Sequence, residues 1–273
     1  MVTAASLLME AAQRLGGETS QASSGCDPVE AGMLRAAAYN RTPGGLPGKD
    51  CPECLNKGQI MVVHEDGSTA IRECGCMGWR RSLKRLERSG LKELVKRCRF
   101  DTFQVAEPWQ EAAKREAERY AEDPAGRWFL ASGQPGSGKT HLCVAICREL
   151  MLRGMEVRYL LWRDAVTRLK AAVNDSEEYA RLIEPLKRVA VLYIDDFFKT
   201  GKGQQPTVGD VNVAFELLNA RYLSGDKLTV ISTERSVEEL LDIDEAVGSR
   251  IYERSKGCGL LLVGENKNWR MRA

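Results

Sequence analysis

From about residue 100 the chain alternates two kinds of hydrophobic spacing. Short runs rich in apolar residues at 128–132, 156–161, 189–196, 228–232 and 259–263, most of them continuous, are separated by longer stretches at 109–122, 140–152, 164–173, 176–186, 209–223, 236–241 and 244–255. In the longer stretches apolar residues recur every three or four positions. Continuous runs mark strands covered on both faces, and the wider spacing marks amphipathic helices. The alternation predicts an α/β domain of three layers, with a parallel sheet between helices. Before residue 100 the pattern is weaker. Leu7, Leu8, Ala11 and Leu15 have helical spacing, 16–25 is rich in Gly and Ser, 29–39 carries a second short helical pattern, and Thr42-Pro43-Gly44-Gly45 ends the segment. Residues 1–45 thus read as a helical docking arm on flexible connections. Residues 59–63 and 69–71 around Gly67 read as a hairpin, and residues 80–98 as a basic helical linker of two short helices parted by Ser89-Gly90.

Composition adds the compartment. With 273 residues, 43% hydrophobic and 29% charged, the protein can bury a full core and a small accessory unit. It has no apolar run of membrane-spanning length, and its first nine residues lack the basic start and apolar centre of a signal peptide, so a cytoplasmic protein without membrane contact is expected. The net charge of +2 hides an asymmetry: residues 80–99 hold nine Lys/Arg against Glu87 and Glu93. Such a cluster reports an anionic partner without naming it.

Two motifs carry phosphate chemistry. Gly133-Gln134-Pro135-Gly136-Ser137-Gly138-Lys139-Thr140 fits G-x-x-x-x-G-K-[ST] and lies between an expected strand and an expected helix. Glycines let backbone N–H groups close around phosphates, Lys139 can reach the β and γ phosphates, and the Thr140 hydroxyl can join a Mg²⁺ shell. The helix that starts there adds its positive dipole end. The second motif, Val191-Leu192-Tyr193-Ile194-Asp195-Asp196, ends a buried strand in an acidic pair. Asp195 is suited to hold Mg²⁺ and Asp196 to polarise the attacking water. Asp196 is shorter than the Glu usual in many such ATPases, which is compatible with slow hydrolysis.

Four of the nine cysteines are regularly spaced: Cys51-Pro52-Glu53-Cys54 and Cys74-Gly75-Cys76. In a cytosolic protein, the spacing C-x₂-C followed by C-x-C reads as a Cys₄ zinc ribbon over residues 46–79, with a ligand set using His64, or reduced cysteines, as alternatives. Cys143 and Cys147, four apart on the helix after the phosphate loop, read as core residues.

Taken in order, the phosphate loop, Val191–Asp196, Ser232-Thr233, Gly248-Ser249-Arg250-Ile251-Tyr252-Glu253-Arg254 and Asn268-Trp269-Arg270 resemble the AAA+ helicase loaders. The ribbon beginning Cys-Pro-Glu-Cys-Leu-Asn-Lys-Gly, then Cys-Gly-Cys-Met and a basic Ser-Gly-Leu helix, narrows this to phage and prophage loaders of the DnaC/DnaI type. The resemblance covers 50–273. It implies an AAA+ ATPase domain at 99–273 without the usual helical lid, and ATP, Mg²⁺ and Zn²⁺ as cofactors. It also implies an N-terminal domain that grips a hexameric DnaB-type replicative helicase, single-stranded DNA as a second partner, and ATP-dependent assembly into a spiral homo-oligomer. By the same resemblance Ser232 or Thr233 is sensor 1, with Glu234 where Asn is common. Arg250 is the arginine finger with Arg254 as second candidate, and Arg270 is the cis sensor-2 arginine. The aromatic-plus-basic segment 197–203, Lys170 and the basic segment 80–99 are candidates for DNA, although Phe197 and Phe198 equally suit packing under the loop. A transposition helper ATPase of the IstB type, and an adaptor that uses nucleotide as a switch without significant hydrolysis, are the alternatives.

Overall fold

The continuous apolar runs become the strands of one parallel sheet. The computed structural model describes residues 27–48, 50–88, 92–201, 203–264 and 267–269. The expected helix around Leu7–Leu15 and the sensor-2 candidate Arg270 lie outside them. By its contacts the protein divides into two units, one of residues 1–45 and 52–72 and the other of 46–51 and 73–273.

In the larger unit the strands are β3 (Phe129–Gly133), β4 (Val157–Leu161), β5 (Val191–Phe197), β6 (Leu228–Thr233) and β7 (Gly259–Leu262), in the order β4-β5-β6-β3-β7. Every pair is parallel. The helices are α2 (Cys76–Arg88), α3 (Lys92–Arg97), α4 (Pro108–Glu122), α5 (Lys139–Leu152), α6 (Trp162–Ala171), α7 (Ser176–Arg188), α8 (Val208–Ser224), α9 (Val237–Ile243) and α10 (Glu245–Ser255). Alternate residues of the central strands enter different cores. Val191 and Tyr193 of β5, like Phe129 and Ala131 of β3, pack with Tyr120 of α4 and Leu142 of α5. Leu192, Ile194 and Leu130 pack with Val166 of α6, Ile183 of α7 and Leu217 of α8. The central strands β3, β5 and β6 are buried on both faces, so the sequence shows a continuous run there, whereas the edge strands β4 and β7 keep half-buried or exposed positions such as Arg158 and Leu261.

The register aligns the strand ends that matter. Ser132 stands beside Thr233, Gly133 beside Leu262, and Leu161 beside Asp195. The loops leaving β3, β5 and β6 therefore gather along one edge, where open α/β sheets bind ligands.

Two features were not foreseen. Residues 80–98, expected as a linker, belong to the larger unit: α2 packs on α5 and β4, and Val95 and Cys98 are buried in the α4–α5 core. The second is Arg221, fully buried on α8. Its guanidinium donates to Thr229 Oγ1 at 3.0 Å and to the carbonyls of Leu186 at 2.8 Å, Lys187 at 3.2 Å, Val189 at 2.9 Å and Leu228 at 2.6 Å. Burial lowers its pKa, but the five acceptors gather the end of α7, the entry to β5 and the start of β6 around one side chain.

The smaller unit holds α1 (Pro28–Arg41) and a two-stranded sheet of β1 (Gln59–Val63) and β2 (Thr69–Glu73). Asp27 caps α1, accepting from Val29 N at 3.0 Å. The amide of Asn40, near the other end of the helix, grips both backbone groups of Met61 on β1 at 2.9 Å.

Candidate functional site

The phosphate loop begins where β3 ends. Gly133 has φ 143°, and a Cβ there would strike the Leu262 carbonyl of the adjacent strand. Gly138 has φ 90°, and a Cβ there would meet the Phe103 ring at 2.8 Å. Those two positions demand glycine, and between them the backbone turns into the first residue of α5. That residue is Lys139, buried, with its ammonium donating to the carbonyls of Gly133 at 2.7 Å and Gln134 at 2.8 Å. Burial lowers its pKa, against the opposing field of the Glu234 and Asp196 carboxylates. The loop is braced by Ser137 Oγ donating to Gln134 O at 2.9 Å and by Trp269 N donating to Gly136 O at 3.0 Å.

Asp195 sits at the centre of a hydroxyl cage. Its Oδ1 accepts from Tyr193 at 2.7 Å, from Thr140 at 3.2 Å and from Ser232, and its Oδ2 from Tyr159 at 2.9 Å. Thr140 and Asp195, the two expected magnesium ligands, are thereby brought together from α5 and β5. Burial first, and the charge of Asp195 with it, raise the pKa of Tyr159, so this phenol stays a donor. The two tyrosines come from neighbouring strands and looked like plain strand residues in the sequence. Only the register of β4 on β5, Tyr159 beside Tyr193, reveals them.

Beyond Asp195 the strand breaks. The pairing of β5 with β6 shifts register between Ile194 and Phe197, and Asp196 and Phe198 adopt φ 52° and 53°. Left-handed backbone is tolerable for Asp and costly for Phe. The break turns the Asp196 carboxylate into an open cleft of about 840 Å³ that also contains Lys139, Thr140, Lys199, Glu234 and Trp269. There Asp196 meets Lys199 Nζ at 3.1 Å, and the same ammonium meets Glu234 at 2.9 Å.

The remaining expected residues are distributed differently. The Thr233 hydroxyl is buried and donates to Phe197 O at 2.8 Å, so it ties two strand ends together; Ser232, one residue earlier, faces Asp195. Phe197 and Phe198 are fully buried, stacked at 4.1 Å and edge-on to Trp162 at 4.8 and 5.6 Å. They pack under the loop and present no face to a nucleobase. Lys170 is ion-paired with Asp210 at 2.7 Å. Arg250 lies away from the cleft on α10. It donates to Asn219 Oδ1 at 3.1 Å and to Ala246 O at 2.7 Å, over the rings of Phe215 and Tyr222. Arg254 is bound to the protein itself, donating to Gly126 O at 2.6 Å and Gly225 O at 2.7 Å. Cys143 and Cys147 are buried in the core, where desolvation raises both thiol pKa values.

The four spaced cysteines converge. Their Sγ atoms lie within 4.8 Å of one another, and His64 is not among them. Cys51 and Cys74 sulfurs are 3.7 Å apart, close to the roughly 3.8 Å edge of a tetrahedron with Zn–S of about 2.3 Å. Gly58 N points at Cys54 Sγ from 3.3 Å, a donor that suits a thiolate ligand. The donor set fits zinc.

A family profile described as IstB-like ATP binding protein matches residues 127–255. The phage-like element PBSX protein XkdC of Bacillus subtilis is 32% identical over 225 residues, covering 79% of this chain and 83% of that protein. The chain belongs to the IstB/DnaC family of AAA+ ATP-binding proteins. Within that family the replicative helicase loader DnaC of Escherichia coli is 28% identical over 222 residues, covering 79% of this chain and 87% of DnaC. The crystal structure of the DnaC helicase loader shares the fold, with a TM-score of 0.53 at 20% identity over 63% of this chain and 98% of that one. The IstB/DnaC assignment accounts for the phosphate loop as an ATP site. No described helix is long and apolar enough to cross a membrane.

Proposed function

We propose that this protein is an ATP-dependent loader that binds a hexameric replicative DNA helicase and helps place it on single-stranded DNA. The observation that carries this reading is the extent of the match to DnaC. A match covering 79% of the sequence has to begin before residue 60 and so takes in Cys74 and Cys76, well outside the ATPase segment shared with IstB-like proteins.

The geometry supports a hydrolytic site. Lys139 and the loop amides bind the phosphates, trading the carbonyls of Gly133 and Gln134 for charged oxygens. Thr140 and Asp195 would hold Mg²⁺, which neutralises charge on the β and γ phosphates. Tyr159, Tyr193 and Ser232 fix the Asp195 carboxylate. Asp196, turned into the cleft by the register break, accepts the proton of the attacking water once Lys199 leaves it. Arg250 would act in a neighbouring subunit, stabilising charge on that subunit's γ-phosphate. Cys51, Cys54, Cys74 and Cys76 would hold Zn²⁺ and shape the helicase-binding part.

Light-scattering chromatography of the full-length protein with its source's replicative helicase, with and without ATP, Mg²⁺ and single-stranded DNA, tests the reading. A discrete complex is expected, with a nucleotide response that Lys139→Ala removes. No complex under any condition would shift the assignment to a transposition helper, the reading favoured by the IstB-like match alone.

A further inference from the structure

The nucleotide cleft contains a carboxylate in a position that ought to repel its ligand. Glu234 follows β6 directly and faces the same space as Lys139 and Asp196. ATP brings up to four negative charges, and the γ-phosphate must come close to both Asp196 and the Mg²⁺ ligands. Two unshielded carboxylates there would oppose triphosphate more than diphosphate, because only the triphosphate reaches them.

Lys199 resolves the conflict. Its ammonium bridges Asp196 Oδ2 at 3.1 Å and Glu234 Oε1 at 2.9 Å, and it lines the cleft with the phosphate loop. Its placement is built from two sides. The turn after β5 closes with Lys199 N donating to Asp196 O at 3.0 Å, and it is tied to the β6 end by Thr233 Oγ1 donating to Phe197 O. Arg235 adds a second tie through Thr200 Oγ1 at 3.1 Å. The buried Phe197–Phe198 pair anchors the turn from below. Burial works against the charge of Lys199, but its hydrogen bonds to Glu234 and Asp196 prevail and raise its pKa, so it is a permanent cation. Lys139, Asp196, Lys199 and Glu234 line one cleft, so the four charges share one field.

Resting on the ATPase reading above, we propose that Lys199 is the γ-phosphate sensor of this site. Glu234 is its positioning residue: it holds the ammonium where a third phosphate, and not a second, can claim it. The γ-phosphate draws Lys199 from Asp196, and the same movement frees the carboxylate that must take the proton from water. The polar side chain usual after this strand is thus replaced by a carboxylate–lysine pair divided between two loops.

The test is equilibrium binding of Mg²⁺-ADP and of a non-hydrolysable Mg²⁺-ATP analogue to the full-length protein, wild type against Lys199→Ala, Lys199→Gln and Lys199→Arg. The first two variants should weaken the ATP analogue at least about tenfold relative to ADP, with ADP affinity within about twofold of wild type. Lys199→Arg should restore most of the preference. Equal weakening of both nucleotides, or no change in either, would overturn the sensor while leaving the ATPase reading intact. Failure of wild type to bind either nucleotide would overturn both.

Discussion

Asp196 must be held and must also be released. Its left-handed backbone and its ion pair with Lys199 make it a carboxylate under restraint, and this is where slow turnover would originate. Asp196→Asn should lower the steady-state ATPase rate by about 10²–10³-fold while nucleotide affinity stays within a few-fold, measured by phosphate release and by titration. An unchanged rate would move the base elsewhere. Arg221 is a residue of another kind, structural and silent in the sequence. Arg221→Ala would leave five carbonyl and hydroxyl acceptors short of a donor around a cavity, at a cost of about 3–5 kcal/mol in denaturant unfolding. The contrast shows what local spacing can and cannot convey. Lys139, Thr140 and Asp195 are legible because phosphate chemistry dictates their residue types at fixed offsets. Arg221 occupies a position that reads as the polar side of a helix, and Lys199 and Glu234 lie 35 residues apart on different loops, so only the fold makes them a pair.

Among the elements, the strands and helices of the ATPase part follow the hydrophobic pattern to within about two residues, because the central strands are dry on both faces and most helices have one apolar side. The exceptions have tertiary causes. Basic composition made α2 and α3 look like a solvated connection, yet Val95 and Cys98 anchor them in the α4–α5 core. An aromatic-basic loop looked like a base-stacking surface, yet Trp162 covers both rings. Helix α10 separates the two finger candidates by the direction each side chain takes. Arg254 donates to carbonyls at the turns around Gly126 and Gly225, whereas Arg250 donates to Asn219 and Ala246 and lies across the α8 surface over two aromatic rings. Arg250→Ala should bind ATP normally and unfold at the wild-type temperature, but lose assembly-stimulated turnover by about 10³-fold. A concentration series of ATPase rate reads this directly, and a rate per protomer that rises with concentration as in wild type would remove Arg250 from the role.

For the molecule as a whole, charge and metal are the remaining determinants. The excess of +7 within residues 80–99 belongs to the ATPase unit by its packing, so a polyanion drawn there is drawn to the body that carries the nucleotide. The cysteine cluster is expected to bind about one zinc per protomer, lost in Cys51→Ser with Cys54→Ser, while nucleotide affinity remains within about twofold. Elemental analysis of gel-filtered protein checks the first part and nucleotide titration the second; wild-type protein free of metal would refute the centre. The C-x₂-C and C-x-C spacing signalled these ligands because each pair can be offered from one tight turn. The division of the protein around them was not legible, since contact partners outside a segment decide to which unit it belongs.

Trp269 gives the protein an optical handle of its own. Its backbone holds the phosphate loop at Gly136 and the residue lines the cleft, whereas Trp128 and Trp162 are sealed in the core and Trp79 and Trp109, both half-buried, are not among the residues that line it. Nucleotide arrival should therefore change the intrinsic emission without any attached dye, and Trp269→Phe should silence most of that signal. An indole at this seat would convert occupancy of the cleft into light, molecule by molecule, in a protein that carries no label.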